Sequence, residues 1–464
     1  MTYRFPRLTV PLAIVTACFV LSIAPLCFAQ AETDPLGDPV PETAKPIQEL
    51  TDALTLFRSL DFAGAEEKLK EGVAKNPELP PAEVIMAQWF AQGQQPNGVR
   101  MYLERAVMNE PNDPSAYIFL GDFALREGRV TEASLLLGKA ESLLGSFKNA
   151  KRKEQMVPQV ANGLAAVAEA RQDWTEAEKQ LRIWLKAQPT SATAMNRLGR
   201  VLFMQKKAEE AWTQLKAAKE ADPKILTPAA TLARLYQQAN DPVNAKKWMD
   251  YAVQSAPKDL PTRLVAAGWA LTTAETQEQL ERAKEEASQA LQLDPKSLQA
   301  KVLRGAVALY QQDYGNAELY FDSAVKQSPN NFAAKNNLAL ALCEQADDAK
   351  KALAFEHAKA NSTLYPKNTA AVSTLGWVLY KLGRKQEAEQ VLRKAAAGQI
   401  APDTAYYLAR IYADFAEQAK AAGQDEPAKQ LKEQSQKLLD QILKSKLLFS
   451  KRSDAEALQK ELNR

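Results

Sequence analysis

The chain has 464 residues, of which 46% are hydrophobic and 25% are charged, a composition typical of folded proteins and not of disordered ones. The formal net charge is +3, and Arg4 and Arg7 contribute two of these charges within residues 1–31, which hold no acid. The near-neutral remainder excludes the large basic surface that nucleic-acid binding requires. Only 18 glycines, together with abundant Ala, Leu, Lys, Glu and Gln, favour helices.

Residues 1–31 have the three parts of a secretory signal peptide. A short basic stretch ending at Arg7 precedes a mostly apolar run, and Ala29 and Ala31 form a small-x-small cleavage pattern. We therefore expect cleavage after Ala31 and an exported protein, periplasmic or secreted. Two alternatives remain: the apolar run stays as an uncleaved membrane anchor, or Cys18 is lipidated. Residues 32–45, with Pro35, Pro39 and Pro41, are predicted to form a flexible leader.

A 34-residue period runs through the rest of the chain. Seven prolines fall into three groups within which neighbours are 34 apart: Pro77 and Pro111; Pro189, Pro223 and Pro257; Pro295 and Pro329. Small residues keep the same spacing, as in Gly199 and Ala233, and large apolar residues precede them. This pattern indicates two antiparallel helices in each repeat, with small residues where the helices meet and proline where the second helix ends.

The repeat resembles the tetratricopeptide repeat. Three copies carry its pattern best, namely Leu198-Gly199, Leu202, Ala211, Leu215, Ala218 and Pro223; Leu232-Ala233, Tyr236, Ala245, Met249, Ala252 and Pro257; and Gly305, Ala317, Phe321, Ala324 and Pro329. The resemblance implies an all-α fold, an α-solenoid (superhelix) of about eleven helical hairpins. The hairpins are expected to start near residues 46, 80, 114, 158, 192, 226, 260, 298, 332, 369 and 402.

The predicted organisation has six parts. They are the signal peptide 1–31, the leader 32–45, repeats at 46–147, a basic insertion at 148–157, repeats at 158–401, and an atypical last repeat with capping helices at 402–464. Extra residues occur in the seventh repeat near 273–279 and in the ninth near 347–351. The basic run in the insertion is interpreted as a solvated helix end, or as a contact for acidic lipids or a partner.

The resemblance also implies a binding face, because ligand contacts in the family come mostly from the second, fifth, ninth and twelfth positions of a repeat. The residues carried over are Asn162, Asn196, Arg200, Phe203, Arg234, Gln237, Asn336, Ser373, Trp377, Tyr380, Tyr406 and Arg410. Asn196, Arg200 and Arg234 would suit an acidic segment. Trp377, Tyr380, Tyr406 and Arg410 would form an aromatic and cationic patch of the kind that dominates binding energy.

Little in the sequence indicates catalysis, a metal or a cofactor. His357 is the single histidine and Cys343 is the single cysteine beyond residue 31, so a His-rich metal site and an internal disulfide are not expected. The acidic pair Glu285-Glu286 is interpreted as part of a solvated helix face. The tail around Leu448 and Phe449 is expected to pack on the last repeat, or else to dock a partner or membrane.

We therefore expect an extracytoplasmic scaffold, not an enzyme, that binds a protein or peptide, with no nucleic-acid partner. Membrane contact is expected only through the signal or a basic segment. The alternatives are a structural spacer in a cell-envelope complex and, third, a hydrolase.

Overall fold

The computed structural model describes residues 47–464, which form 23 helices and no strand. The predicted all-α class is therefore confirmed. The predicted signal peptide and leader lie outside the described residues.

Twenty-two of the helices follow one another as eleven pairs. The first helices of the pairs are α1 Gln48–Arg58, α3 Ala82–Gln92, α5 Pro114–Arg126, α7 Ala150–Ala170, α9 Ala192–Met204, α11 Pro228–Gln238, α13 Leu260–Thr273, α15 Leu298–Tyr310, α17 Phe332–Cys343, α19 Thr369–Lys381 and α21 Pro402–Ala421. The second helices are α2 Phe62–Lys75, α4 Pro96–Asn109, α6 Val130–Ser146, α8 Trp174–Ala187, α10 Ala208–Ala221, α12 Pro242–Ser255, α14 Gln277–Leu293, α16 Tyr314–Gln327, α18 Asp348–Leu364, α20 Lys385–Ala395 and α22 Asp425–Leu443. A last helix, α23 Arg452–Leu462, follows the eleventh pair.

The described chain divides into two compact units. Unit 1 ends at Thr231, and unit 2 comprises Leu232–Arg464, so the division falls inside α11. In unit 2, each first helix from α13 to α21 contacts the next first helix along the chain. These helices therefore form a common face, which we call the first-helix face of unit 2.

Most pairs turn through one residue in the left-handed backbone region. Nine connections have such a residue: Leu60, Gln94, Gly128, Gln172, Lys206, Asn240, Gln312, Gly383 and Gly423. The following amide then bonds back across the helix end, as the Gln95 N–H does to the Phe90 carbonyl at 2.9 Å. Among the described pairs, α13–α14 and α17–α18 turn without one, and these are the two repeats whose sequences carry extra residues.

The basic insertion at 148–157 mostly becomes the first turns of α7, which begins at Ala150. Arg152 is buried there, and its guanidinium lies 2.7 Å from the Asp113 carboxylate and donates to the Ser115 hydroxyl at 2.7 Å. This arginine therefore stabilises the packing of α7 on the start of α5.

The Glu285-Glu286 pair also differs from its solvated interpretation. Glu286 is buried and forms an ion pair with Arg263 at 2.6 Å. The sequence interpretation was wrong for Glu286 because a helix can bury one of two adjacent acids when a buried arginine on the neighbouring helix compensates its charge.

Small residues on the first helices meet large side chains of the second helices. A Cβ added to Gly199 would lie 2.7 Å from Leu215 Cγ and 3.1 Å from the Ala211 carbonyl oxygen. Gly305 meets Phe321 in the same way, and Gly376 meets Leu392. The small residues thus let the paired helices approach, as the repeat pattern predicts.

We expect Gly199→Ala to lower the free energy of unfolding by roughly 1–3 kcal/mol, because the added methyl overlaps Leu215. The control is Gly138→Ala in the middle of α6, where an added Cβ meets nothing within 4 Å. That variant should gain about 0.5–1 kcal/mol through helix propensity. Denaturant unfolding of both variants measures the difference, and equal effects at the two positions would contradict this packing.

Candidate functional site

The chain after α22 turns back onto the first-helix face of unit 2. We call residues 444–451 the C-terminal segment. The Leu448 N–H donates to the Ala274 carbonyl at 2.7 Å, at the end of α13. Leu448 packs beside Leu271 on α13 and Val307 on α15, and Phe449 is 4% exposed within the core of the last repeats. The segment therefore packs on several repeats. The sequence had led us to expect packing on the last repeat alone.

Lys451 fixes the end of this segment by a buried ion pair. Its ammonium lies 2.7 Å from Glu344 Oε1 and donates to the Tyr314 hydroxyl at 2.8 Å. Asp454 lies 3.2 Å away. Burial alone would lower the pKa of Lys451, but the attraction of Glu344 outweighs it and the pKa is raised. Conversely, Lys451 and Lys381 hold the pKa of Glu344 below its usual value despite burial, so both partners are charged.

Asp403 binds one side chain and one main-chain amide of the same segment. Its Oδ1 accepts from the Ser450 hydroxyl at 2.8 Å and from the Lys451 N–H at 3.2 Å. Five first helices or their ends thus contribute to this site: α13 with Ala274, α15 with Val307, α17 with Glu344, α19 through Trp377, and α21 with Asp403.

The structure brings together the predicted aromatic and cationic patch. Trp377 stacks on Tyr380 and Tyr407 with ring centroids 4.8 and 4.2 Å apart, and Tyr406 lies 5.8 Å away. The Trp377 indole N–H donates to Glu344 Oε1 at 2.6 Å. Trp377 is only 3% exposed and Tyr406 6%, so both are packed in the core.

Arg410 completes this patch through a carboxylate. It lies 2.8 Å from Asp414, which also accepts from the Tyr380 hydroxyl at 3.0 Å and pairs with Lys385 at 2.6 Å. Arg410 is half-buried and also lies 3.6 Å from Glu461 on α23. Whether the patch binds a partner stays a prediction.

Two other predicted residues of unit 2, Asn336 and Ser373, line a cavity of about 110 Å³ on the same face. Both are buried. The Ser373 and Thr404 hydroxyls share a hydrogen bond of 2.7 Å. Asn336 Oδ1 has no hydrogen-bond partner within residues 47–464.

The remaining predicted residues lie on α7, α9 and α11. In unit 1, Asn162 accepts a hydrogen bond from Arg197, while Asn196 and Arg200 are half-buried and Phe203 is buried. On the part of α11 that belongs to unit 2, Arg234 is half-buried and Gln237 is exposed. The grouping of Asn196 and Arg200 with Arg234 stays a prediction.

Sequence reasoning missed Asp403, Glu344, Lys451 and Asp122. Asp403 occupies the second position of its repeat, which the family pattern marks as a contact position, so that signal was present. Glu344 and Lys451 had no comparable signal, because they meet only when the chain end returns to α17. Asp122 follows Gly121 as Arg200 follows Gly199 and Trp377 follows Gly376, so its offset in the repeat was the signal.

Within the part of the chain that the structure describes, no group of three or more His, Cys, Asp or Glu side chains is placed to hold a metal ion. No helix there combines the length and the apolar character needed to cross a membrane. Cys343 is buried and free, and burial raises the pKa of its thiol. Burial lowers the pKa of the half-buried His357.

Asp122 should make the stability of the protein depend on pH. Burial raises its pKa to about 7, although Arg126 opposes the shift. Because the folded state holds this proton more tightly than the unfolded state, stability should fall as pH rises from about 4 to 7 and then level off.

The free energy of unfolding of Asp122→Asn should therefore be about 1–3 kcal/mol higher than that of wild type at pH 8. This advantage should vanish near pH 4. The difference between the two unfolding curves across this range isolates Asp122 from other acids. A difference in unfolding free energy that stays constant with pH would show that folding does not raise the pKa of Asp122.

Comparison with known proteins identifies the repeats. The sequence profile described as tetratricopeptide repeat matches residues 162–224, 272–332 and 304–363, and a second profile with this description matches 371–397. A comparison with curated proteins gives no match.

The solved structures similar to the chain include the following three. Yeast Tom70 is 14% identical, with 90% of this chain and 96% of that chain covered and a TM-score of 0.33. A tetratricopeptide repeat protein from Parabacteroides merdae is 14% identical, with 67% and 100% covered and a TM-score of 0.34. PilW, described as a widely conserved type IV pilus biogenesis factor, is 15% identical, with 46% and 96% covered and a TM-score of 0.33. From the profile matches and the paired helices, the chain contains tetratricopeptide repeats.

Proposed function

We propose that the protein is an exported scaffold, without enzymatic activity, that binds an extended polypeptide segment on the first-helix face of unit 2. The observation that carries the proposal is the C-terminal segment, a piece of irregular chain seated on that face. Tetratricopeptide repeats support a protein-binding role in general terms.

The contacts of the C-terminal segment define what the face can recognise. Two hydrogen bonds go to the main chain of the segment, at the N–H groups of Leu448 and Lys451, and these are independent of side chains. The apolar surface between α13 and α21 takes Leu448 and Phe449, and Glu344 takes the ammonium of Lys451. The face therefore suits a segment with two apolar residues, one intervening residue and then a lysine.

The two connections without a left-handed residue, α13–α14 and α17–α18, support the proposal that this face binds a segment. The α13–α14 connection supplies the Ala274 carbonyl and the α17–α18 connection begins with Glu344. Both depart from the left-handed turn used by the other pairs, so the repeats that break the pattern are repeats that hold the segment. This face therefore favours a basic partner. The acidic segment predicted from the sequence would bind elsewhere, at Asn196, Arg200 and Arg234.

The alternative function is a structural spacer, in which the C-terminal segment is a permanent cover for apolar side chains. One feature favours it: Phe449 and Lys451 are as buried as core residues, at 4% each. A spacer would lose stability when the segment is weakened and would gain no capacity to bind peptides.

Export is part of the proposal and is supported by the sequence of residues 1–31. Mass spectrometry of protein recovered outside the cytoplasm should give a chain that begins at Glu32. A chain that retains Met1, or begins at a lipidated Cys18, would contradict cleavage after Ala31 and show that the protein is anchored to the membrane.

The binding function is tested with a defined peptide. Phe449→Ala with Lys451→Ala in the full mature chain should release the C-terminal segment and expose the face. A labelled peptide of residues 444–452 should then bind the double variant at least roughly tenfold more tightly than wild type, because a tethered segment competes at high effective concentration. Fluorescence anisotropy measures this difference.

Lys444→Ala with Lys446→Ala is the matched control, since both lysines are exposed in the same segment. It should bind the peptide no better than wild type. Adding Glu344→Gln to the releasing variant should abolish binding. A releasing variant that melts at much lower temperature and binds no peptide would overturn the scaffold and favour the spacer.

A further inference from the structure

The cavity on the first-helix face of unit 2 has one charged wall. Its polar lining groups include Asn336, Ser373, Thr404 and Asp403, and aliphatic and aromatic side chains also line it. Asp403 is the sole side chain with a formal charge among the lining residues, all of which belong to the described chain. A cation in this cavity would therefore meet one acidic side chain, with no lysine or arginine on the walls to compete for it.

Among the residues that the structure describes, one lining group has no donor, and a second lining group receives both of its donors on one oxygen. Asn336 Oδ1 is buried, with the residue 6% exposed, and has no partner in residues 47–464. The donors that reach Asp403 there, Ser450 Oγ and Lys451 N, both bind Oδ1. The nearest cation of the segment, Lys451, has its ammonium on Glu344 and Tyr314 instead. A buried acceptor without a donor is costly, so a ligand that brings an N–H group to Asn336 Oδ1 would be stabilised here.

The remaining walls set the shape of that ligand. Leu271, Val302, Leu309 and Leu340 give the cavity an aliphatic side. Its volume of about 110 Å³ suits roughly four to five heavy atoms, since a 150 Å³ apolar cavity holds the six carbons of benzene. A short carbon chain ending in an ammonium group has both the required size and the required polarity.

We propose that this cavity binds a short alkylammonium group, with its ammonium between Asp403 and Asn336 and its carbon chain against the aliphatic wall. The group is either a free small amine or the lysine side chain of a bound polypeptide. Burial raises the pKa of Asp403, and the hydrogen bond from Ser450 and the charge of Lys451 only partly oppose the shift. This proposal does not rest on displacement of the C-terminal segment.

Wild-type mature protein is titrated with three probes of equal length: butylammonium, 1-butanol and butyrate. Ligand-observed NMR gives each dissociation constant. Butylammonium should bind with a dissociation constant of roughly millimolar or tighter, within the range open to five heavy atoms. 1-Butanol should bind at least about tenfold more weakly, and butyrate should not bind, because the carboxylate of Asp403 repels it.

Two variants locate the binding. Asp403→Asn keeps an oxygen acceptor for Ser450 and should weaken butylammonium at least about tenfold. Asp425→Asn, which removes an exposed carboxylate at the start of α22, is the matched control and should leave it unchanged. Ala306→Leu should fill the cavity and abolish binding even if Asp403→Asn does not fold.

A blocked Gly-Lys-Gly peptide and its norleucine counterpart separate the two sources. Binding of butylammonium alone assigns the site to a free amine, and binding of the lysine peptide as well assigns it to a polypeptide lysine. Equal affinities for butylammonium and 1-butanol, no binding of either, or butylammonium affinity unaffected by Ala306→Leu would each overturn the proposal. None of these results depends on whether the segment peptide binds in trans, so the two proposals fail separately.

Discussion

The close approach of paired helices at one small residue is the constraint on which the rest depends. Gly199, Gly305 and Gly376 each sit against a large side chain of the second helix at a distance that leaves no room for a Cβ. This contact fixes the rotation of the first helix about its axis. The next residue along the chain is thereby fixed as well, and it is Arg200 after Gly199 and Trp377 after Gly376. Packing inside a hairpin therefore decides which side chains form the first-helix face.

Hairpins and their registers could be predicted from the sequence because the determinants are local and repeated. A proline every 34 residues and a small residue at a constant offset describe contacts within one hairpin, so each copy reports the same geometry. The start of α7 at Ala150 could not be predicted in this way, because its cap by Asn149 and the pairing of Arg152 with Asp113 across two hairpins have no repeated counterpart. Such a pairing occurs once and leaves no period.

The candidate site was predictable to the same limited extent. Trp377, Tyr380, Tyr406 and Arg410 do come together, because each occupies a fixed offset in its repeat. Their burial could not be predicted, since it involves a chain end that returns to helices more than a hundred residues earlier, as Gln312 shows by bonding to Ser453. Helical periodicity carries no information about where a non-repeating segment goes.

Lys451 and Asp403 are both ionisable residues held among the last repeats, but only Lys451 forms an ion pair within the described chain. The buried ammonium of Lys451 is matched by Glu344, and each group shifts the pKa of the other in the direction that keeps both charged. Asp403 is held among the same helices, yet the donors that reach it are a hydroxyl and an amide and not a cation. A face built to stabilise one ammonium at Glu344 thus offers a second acid whose charge has no such match. That asymmetry is the reason for proposing a ligand beside Asp403 and not beside Glu344.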